Sequence, residues 1–240
     1  MTEVRVELML PWQIREAMAA RPLVYIPLGT IEWHCEHLPV GLDALTAHGV
    51  CALAARKHGG LVLPALHYGT GGGHGNYPWT IMMGSEAEIS ASLDKTLARL
   101  EDFGCKLAVL FSGHFADSQL VMIDRIAAEW NAAKRRLRVL STAVNRIEGL
   151  AIAPDHAGVF ETTLLYALYP DLVQLDRLPS LDKVPLATDD WQDSRHDPKH
   201  PVWGVFGPDP RGFDPRLAST LLASSVDWLV THVGAEFPSA

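Results

Sequence analysis

The 240-residue chain has little of several features that would assign it to a common class of protein. Its three cysteines are an odd number without C-x-x-C spacing, which argues against a disulfide framework and fits a reducing cytoplasm. It has no apolar run of about 18 residues, so no membrane-spanning helix is expected. The charged N-terminal stretch lacks the apolar centre of a signal peptide. We therefore expect a cytoplasmic protein.

Basic residues are also scarce, with 20 Lys and Arg against 28 Asp and Glu and a net charge of −8. This balance excludes a global basic surface for nucleic acid or for an anionic membrane. The glycine-rich stretch at residues 68–80 lacks the G-x-G-x-x-G spacing of a dinucleotide site. What remains is a chain with 48% hydrophobic residues, long enough to bury a full core. Its expected partner is a small molecule.

Short apolar runs alternate with segments of helical periodicity. The runs predict strands at residues 23–28, 61–66, 106–111 and 137–141, and the periodic segments predict helices at residues 11–20, 43–58, 85–103 and 215–232. Two further helices are predicted, one that follows residues 112–117 and ends near residue 133, and one that residues 155–162 introduce and that ends near residue 169. Four strand–loop–helix repeats in order predict a single-domain three-layer α/β/α fold with a mainly parallel central sheet, over residues 1–240. Residues 179–215 are rich in Pro, Asp and Gly with little periodicity. They predict a lid, an oligomer arm or a long surface excursion.

Candidate metal ligands follow the predicted strands. Glu32 and His34 are two residues apart, so an extended backbone aims both side chains at one spot. A turn can bring Asp43 back to that spot, at the start of a helix. His74 and His114 follow two other strands. Ligands of parallel sheets bind beyond the carboxyl ends of the strands, and a carboxylate–imidazole set suits zinc or manganese, so we expect a metal site at this edge.

Three blocks of the sequence together resemble the creatininase (creatinine amidohydrolase) family of binuclear metal hydrolases. They are residues 29–43, residues 112–114 and residues 156–162, and residues 166–173 continue the last block. They occur in the order and at the spacing of the family. The resemblance implies a creatininase-like fold and a metal-dependent amidohydrolase that acts on a carbon–nitrogen bond other than a peptide bond.

The resemblance also implies a role for each matched residue. Glu32 and His34 correspond to ligands of separate metal ions, and Asp43 corresponds to the carboxylate that bridges both. His114 would complete the site of Glu32, and Glu161 would offer a further carboxylate. The family binds two divalent ions per chain (zinc, manganese or iron), and its members are usually ring-shaped hexamers.

His156 corresponds to the proton-handling histidine of the family. Two divalent ions bring a charge of about +4 against three carboxylates, and the surplus favours bound hydroxide over water. That hydroxide would attack an amide carbonyl polarised by an ion. His156 titrates in the range suited to protonating the leaving nitrogen.

Two departures from creatininase itself bear on the metal site and the substrate. Creatininase has a Tyr-Glu pair after the histidine that matches His114, whereas this chain has Phe115 and Ala116. A second ion must then rely on Glu161 or on water, or be absent. Residues 144–154 form a short segment without the tryptophan of creatininase, so creatinine is not the expected substrate.

Other residues near the blocks have open assignments. His74, Tyr77 and Trp79 are candidates for substrate binding, although a loop histidine without that role and aromatic core packing are alternatives. His37 is expected to support the ligands rather than to bind metal. Asp155 either orients His156 or caps the following helix.

Two other functions remain open at this point. A creatininase-like peptidase would trim a small modified peptide and would need an open groove. A non-catalytic metal-binding or ligand-sensing protein would keep its metal and its properties when His156 is replaced.

Overall fold

The computed structural model describes residues 3–73, 75–81 and 85–237, so the candidate residue His74 lies outside the described residues. The strands are β1 Leu23–Leu28, β2 Leu61–Val62, β3 Leu107–Ser112 and β4 Arg138–Ala143. The α-helices are α1 Pro11–Ala20, α2 Leu42–His58, α3 Glu86–Asp102, α4 Asp117–Ala132, α5 Val159–Leu168 and α6 Ala218–Glu236.

The four strands form one parallel sheet in the order β2-β1-β3-β4. All six residues of β1 and all six of β3 are buried, which is the pattern of central strands covered on both faces. Their register pairs Leu23 with Leu107 and Leu28 with Ser112, so the two strands end at the same level.

The period of two along each strand divides the core into two layers. Tyr25 of β1 and Val109 of β3 face one side, where they pack with α2, α5 and α6. Ile26 and Leu110 face the opposite side, where they pack with α1, α3 and α4. The α/β/α architecture expected from the sequence is therefore confirmed.

Local signals in the sequence explain several helix ends. Pro11 begins α1, where its missing N–H is not needed. The Ser85 side chain accepts a hydrogen bond from the Glu88 backbone N–H at the start of α3, as the capping box predicts. Gly59 follows α2 with φ +86°, a conformation that favours glycine.

The predicted strand at residues 61–66 is wrong in length, since β2 ends at Val62. Pro27, the β1 residue that faces this stretch, has no backbone N–H to donate to it, so the regular ladder stops here. Parallel pairing nevertheless continues beyond it, because Leu66 donates its N–H to Pro27 and accepts from Gly29, at 3.0 and 2.9 Å. The chain thus stays against β1 and leads the glycine-rich loop to the carboxyl edge of the sheet.

The segment at residues 179–215 has little regular structure beyond short 3-10 turns, as its composition predicts. It is nevertheless packed against the body, because Arg195 is fully buried. The Arg195 guanidinium donates to Asp189 at 3.1 Å and to the Val205 carbonyl at 3.2 Å. Among the described residues, no helix has the length and apolar character needed to cross a membrane.

The three cysteines provide a test of this core. Burial raises the pKa of Cys35 to about 12 and that of Cys105 to about 11, and Cys51 is also fully buried. We expect a thiol reagent to label the native protein slowly at pH 8. Fewer than one thiol group per chain should react within minutes. All three should react in guanidinium chloride. Fast stoichiometric labelling of the native chain would show that one thiol is accessible.

Candidate metal centre and active site

The sheet has a crevice at the carboxyl ends of β1 and β3, because the connections that follow these two strands lead to opposite sides. From β1 it passes through α2 to β2 on one side, and β3 lies on the other side of β1. Loops that leave two adjacent strands in opposite directions open a crevice at their carboxyl ends, the usual ligand site of such sheets. Glu32 and His34 follow β1, and His114 follows β3, so this topology brings the two loops together.

Two glycines let the start of α2 approach these strand ends. A Cβ at Gly29 would lie 2.2 Å from the Ala44 nitrogen, and a Cβ at Gly113 would lie 2.0 Å from the Asp43 carbonyl oxygen. Contacts that short are impossible, so only glycine allows the helix to sit here. The consequence is that Asp43, in the first turn of α2, faces both loops.

The first group of donor atoms consists of Glu32, Asp43 and His114. His114 Nδ1 lies 3.2 Å from Glu32 Oε1 and 3.3 Å from Asp43 Oδ2. All three side chains are buried. The three side chains come from the loop after β1, the start of α2 and the loop after β3, and they meet at one point.

The second group consists of His34, Asp43 and Glu161. His34 Nε2 lies 3.1 Å from Asp43 Oδ1 and 3.5 Å from Glu161 Oε2. Asp43 therefore directs one carboxylate oxygen to each group. This is the arrangement that a bridging carboxylate between two ions requires.

Main-chain carbonyl groups orient both ligand histidines. His34 Nδ1 donates to the Glu32 carbonyl at 3.0 Å, and His114 Nε2 donates to the Thr70 carbonyl at 3.2 Å. A carbonyl only accepts, so the other ring nitrogen of each histidine faces the carboxylates. Cys35, directly after His34, has a φ of +59°, an unusual conformation for a side chain at this turn.

Glu161 is held by the turn that precedes α5. The Ala157 backbone N–H donates to Glu161 Oε2 at 2.6 Å, and Ala157 has a φ of +56°. The Asp155 carboxylate accepts from the backbone N–H groups of Gly158 and Phe160, at 3.1 and 3.0 Å. Asp155 thus caps the start of α5, the second of its two predicted roles.

The charges of the cluster are strongly coupled. Burial disfavours protonation of His34, but the Asp43 and Glu161 carboxylates outweigh it and raise the pKa of His34 to about 10. Burial and the nearby Asp43 carboxylate raise the pKa of Glu161 well above its usual range. Burial would also raise the pKa of Asp43, but the adjacent His34 and His114 rings lower it. Positive charge on the neighbouring rings therefore favours the ionised form of Asp43.

The donor set fits divalent metal ions. His34 Nε2 and Asp43 Oδ2 are buried and form no well-directed hydrogen bond, although oppositely charged partner atoms lie 3.1 and 3.3 Å away. Buried polar atoms such as these two, which converge on one point and lack a directed partner, are arranged for a cation between them. Three carboxylates and two imidazoles match the mixed ligand preference of zinc and manganese.

His156 lies at the edge of the cluster. Its Nε2 donates to the Trp33 carbonyl at 3.0 Å, and its Nδ1 lies 3.6 Å from Glu32 Oε1. Its backbone exchanges two hydrogen bonds of 2.8 Å with Phe206, which ties it to the segment at residues 179–215. The basic nitrogen of His156 therefore faces the crevice.

The crevice encloses a cavity of about 140 Å³. Its described lining residues are Glu32, Asp43, Gly72, Gly113, His114, Phe115, Ala116, His156 and Glu161. The apolar Phe115 and Ala116 thus reach the cavity without adding a ligand. Among the described residues, Glu161 is the carboxylate that completes the second group.

The remaining candidates lie outside the two ligand groups. His37 Nε2 lies 3.0 Å from the Thr162 hydroxyl, next to Glu161, and burial lowers the pKa of His37 to about 3. Tyr77 is buried and its hydroxyl lies 2.7 Å from His196 Nδ1. Trp79 is 75% exposed and does not line the cavity.

Sequence reasoning missed the residues that orient His156. The Trp33 indole donates to the Trp203 carbonyl at 3.1 Å, and the two indole rings lie 5.0 Å apart. The position of Trp33 between the candidate ligands Glu32 and His34 was the one feature of the sequence that indicated its role. No pattern in the sequence connects it to Trp203, 170 residues later.

The sequence of the chain matches a known protein family over most of its length. The family model described as creatinine amidohydrolase matches residues 9–233. The chain belongs to the creatininase family. The predicted family is thereby confirmed, and the chain is a hydrolase of that family.

Two relatives show the range of activities within the family. A creatinine amidohydrolase from Pseudomonas putida is 30% identical over 194 residues, which cover 70% of this chain and 74% of the relative. A mycofactocin precursor peptide peptidase from Mycobacterium ulcerans (strain Agy99) is 31% identical over 182 residues, which cover 69% of this chain and 66% of that protein. Family membership alone therefore leaves the substrate open.

Solved creatininase structures share the whole fold. A crystal structure of creatinine amidohydrolase (creatininase) has a TM-score of 0.79 and 26% identity, and the match covers 100% of both chains. Structures of a mutant creatininase of Zn–Zn type and of creatininase Mn have TM-scores of 0.77 and 0.76 at 25% and 26% identity. Each covers 99% of this chain and 100% of the other.

The close approach of α2 to β3 yields a testable prediction. Gly113→Ala would force the Asp43 backbone away from the strand end, at a cost of roughly 1–3 kcal/mol. We expect the melting temperature to fall by roughly 2–10 °C and the metal content to fall with it. Gly75→Ala is the matched control, since nothing lies within 4 Å of its added Cβ. Equal metal content in both variants would contradict the proposed placement of Asp43.

Proposed function

We propose that this family member is a metal-dependent amidohydrolase that cleaves the C–N amide bond of a small non-peptide substrate such as a cyclic amide or a formamide. The observation that carries the proposal is the sharing of Asp43 between two groups of buried donor atoms. One group adds Glu32 and His114, and the other adds His34 and Glu161. We infer two divalent ions per chain, with zinc and manganese favoured by the donor set.

Divalent ions bound here would polarise the amide carbonyl and lower the pKa of a water molecule. The residues of this chain place the other parts of the reaction. His34 and His114 keep their outer nitrogens on backbone carbonyls, so neither can rotate away from the carboxylates. Their rigidity limits the reorganisation that the reaction requires.

We assign the proton transfer to His156. Because its Nε2–H donates to the Trp33 carbonyl, a mobile proton can only be carried at Nδ1. That nitrogen lies at the cavity, 3.6 Å from Glu32 Oε1. It can take a proton at that position and give it to the leaving nitrogen of the substrate.

We also infer that Glu161 compensates for the apolar residue at position 116. Glu161 Oε2 lies 3.5 Å from His34 Nε2 and accepts from the Ala157 N–H, so its orientation is fixed. His37 supports this arrangement through Thr162, the residue after Glu161. This chain would therefore keep a second metal position through Glu161, without a carboxylate at position 116.

The size of the cavity favours a small amide over a peptide. Its volume of about 140 Å³ lies below the usual range of ligand pockets, about 300–1,000 Å³. A peptidase acting on a small modified peptide is the alternative, supported by the relative from Mycobacterium ulcerans. That activity needs room for residues on both sides of the scissile bond.

Assembly and location belong to the same proposal. By resemblance to the family we propose a homohexamer, and three buried free thiols fit a cytoplasmic location. Leu8, Leu10 and Trp12 expose 50–59% of their surface within one short stretch, which supports association through this part of the chain.

Replacing His156 tests the catalytic assignment. Asn keeps an N–H donor for the Trp33 carbonyl but cannot carry a proton at the Nδ1 position. We expect His156→Asn to lower turnover by about 10²–10⁴-fold at unchanged metal content, measured on the best substrate from a panel of formamides, lactams and cyclic ureides. His232→Asn on α6 is the matched control. Unchanged turnover in His156→Asn would remove His156 from the mechanism.

Replacing Glu161 tests the second metal position. A neutral amide is a weaker ligand than a carboxylate, so Glu161→Gln should reduce the metal content from about two ions per chain to about one. Elemental analysis after removal of loose metal measures this directly. Glu36→Gln, at an exposed position in the same loop as the ligands, should keep the full content. Two tightly held ions in Glu161→Gln would refute the role of this carboxylate.

A further inference from the structure

A second cavity, of about 300 Å³, lies next to the cavity of the metal cluster. Its described lining residues are Gly73, Asn76, Tyr77, His196, Pro198 and Trp203. They come from the glycine-rich loop and from the irregular segment at residues 179–215. The aromatic members Tyr77, His196 and Trp203 define what we call the aromatic subsite.

Neighbouring residues line the two cavities. Gly72 lines the first cavity and Gly73 lines the second. Elsewhere Phe206 lies between His156 and His196, with ring distances of 6.5 Å and 4.7 Å. A substituent on an amide in the first cavity would extend toward the second along Gly72 and Gly73.

The walls of the aromatic subsite are held in place. The Tyr77 hydroxyl lies 2.7 Å from His196 Nδ1, and the rings of Tyr77 and Trp203 lie 5.1 Å apart. Gly204 has a φ of +78°, and an added Cβ would lie 2.6 Å from Trp33 and 2.9 Å from Tyr77. This close approach seats Trp203 against Trp33, whose carbonyl orients His156. The subsite and the catalytic histidine are thus parts of one rigid unit.

The residues that line the aromatic subsite favour a planar, uncharged group. Tyr77 and Trp203 supply aromatic surface, Pro198 supplies an apolar edge, and Asn76 supplies an amide that can donate or accept. Among the described lining residues there is no carboxylate, lysine or arginine to pair with a charged substituent. Together the two cavities reach the usual volume range of a ligand site, which the first does not reach alone.

We propose that the aromatic subsite binds a planar, uncharged ring carried by the amide substrate. This inference rests on the proposed hydrolysis and names its substrate class. The first cavity takes the reacting amide, and the second takes the ring. The ring edge approaches Asn76 while Tyr77 and Trp203 contact its surface.

A matched pair of substrates tests the proposal on the metal-loaded protein. N-benzylformamide and N-(cyclohexylmethyl)formamide differ only in whether the ring is planar. We expect kcat/KM to be roughly 3- to 10-fold higher for the benzyl compound. Trp203→Leu and the exposed His196→Leu should each bring this ratio close to one, whatever happens to the absolute rate. Trp191→Leu, a tryptophan of the same segment that lines neither cavity, should keep the wild-type ratio.

A binding measurement separates the subsite from the reaction. The ketones 4-phenylbutan-2-one and 4-cyclohexylbutan-2-one have no C–N bond to cleave, and calorimetry can measure their affinities. Tighter binding of the phenyl ketone, lost in Trp203→Leu and His196→Leu, supports the subsite even if neither formamide is hydrolysed. In that case the proposed hydrolysis fails by itself. A ratio near one in the wild-type protein, for turnover or for ketone binding, overturns the aromatic subsite.

Discussion

The site depends on the contact between the first turn of α2 and the ends of β1 and β3. Gly29 and Gly113 leave room for the helix backbone, and this places Asp43 between His34 and His114. A carboxylate so buried is stable only beside positive charge. The histidines can supply that charge when protonated, and divalent ions can supply more of it. The close packing of the two glycines against α2 thus fixes the position of the Asp43 charge in the crevice.

The parallel sheet explains how distant residues meet at this contact. Central strands with aligned ends deliver every following loop to one edge, so the order β2-β1-β3-β4 places the loops after β1 and β3 side by side. This could be predicted, because it requires only apolar runs and the chemistry of the residues that follow them. The length of β2 could not be predicted from apolarity, since the regular ladder stops after Val62 although hydrogen bonds of Leu66 keep the chain beside β1.

The proposed ligands after the strands could be predicted from their residue types and positions, and Glu161 from the resemblance to the family, whereas the groups that orient them could not be predicted. Glu32, His34, Asp43, His114 and Glu161 each carry a side chain whose chemistry suggests metal binding. Their supports are backbone atoms of Glu32, Thr70 and Ala157, which any residue could provide. Backbone geometry at Cys35 and Ala157, both with positive φ, likewise has no signature in the residue type.

The role of residues 179–215 likewise could not be predicted from the sequence. Their lack of periodicity is compatible with a lid, an arm or a rigid wall, and only long-range contacts distinguish these. Trp203 packs on Trp33, and Phe206 pairs with the backbone of His156, so the segment forms part of the candidate site. A change of residues in this segment can therefore alter the substrate while leaving every metal ligand in place. This provides a physical route by which one family holds both amidases of small molecules and peptidases.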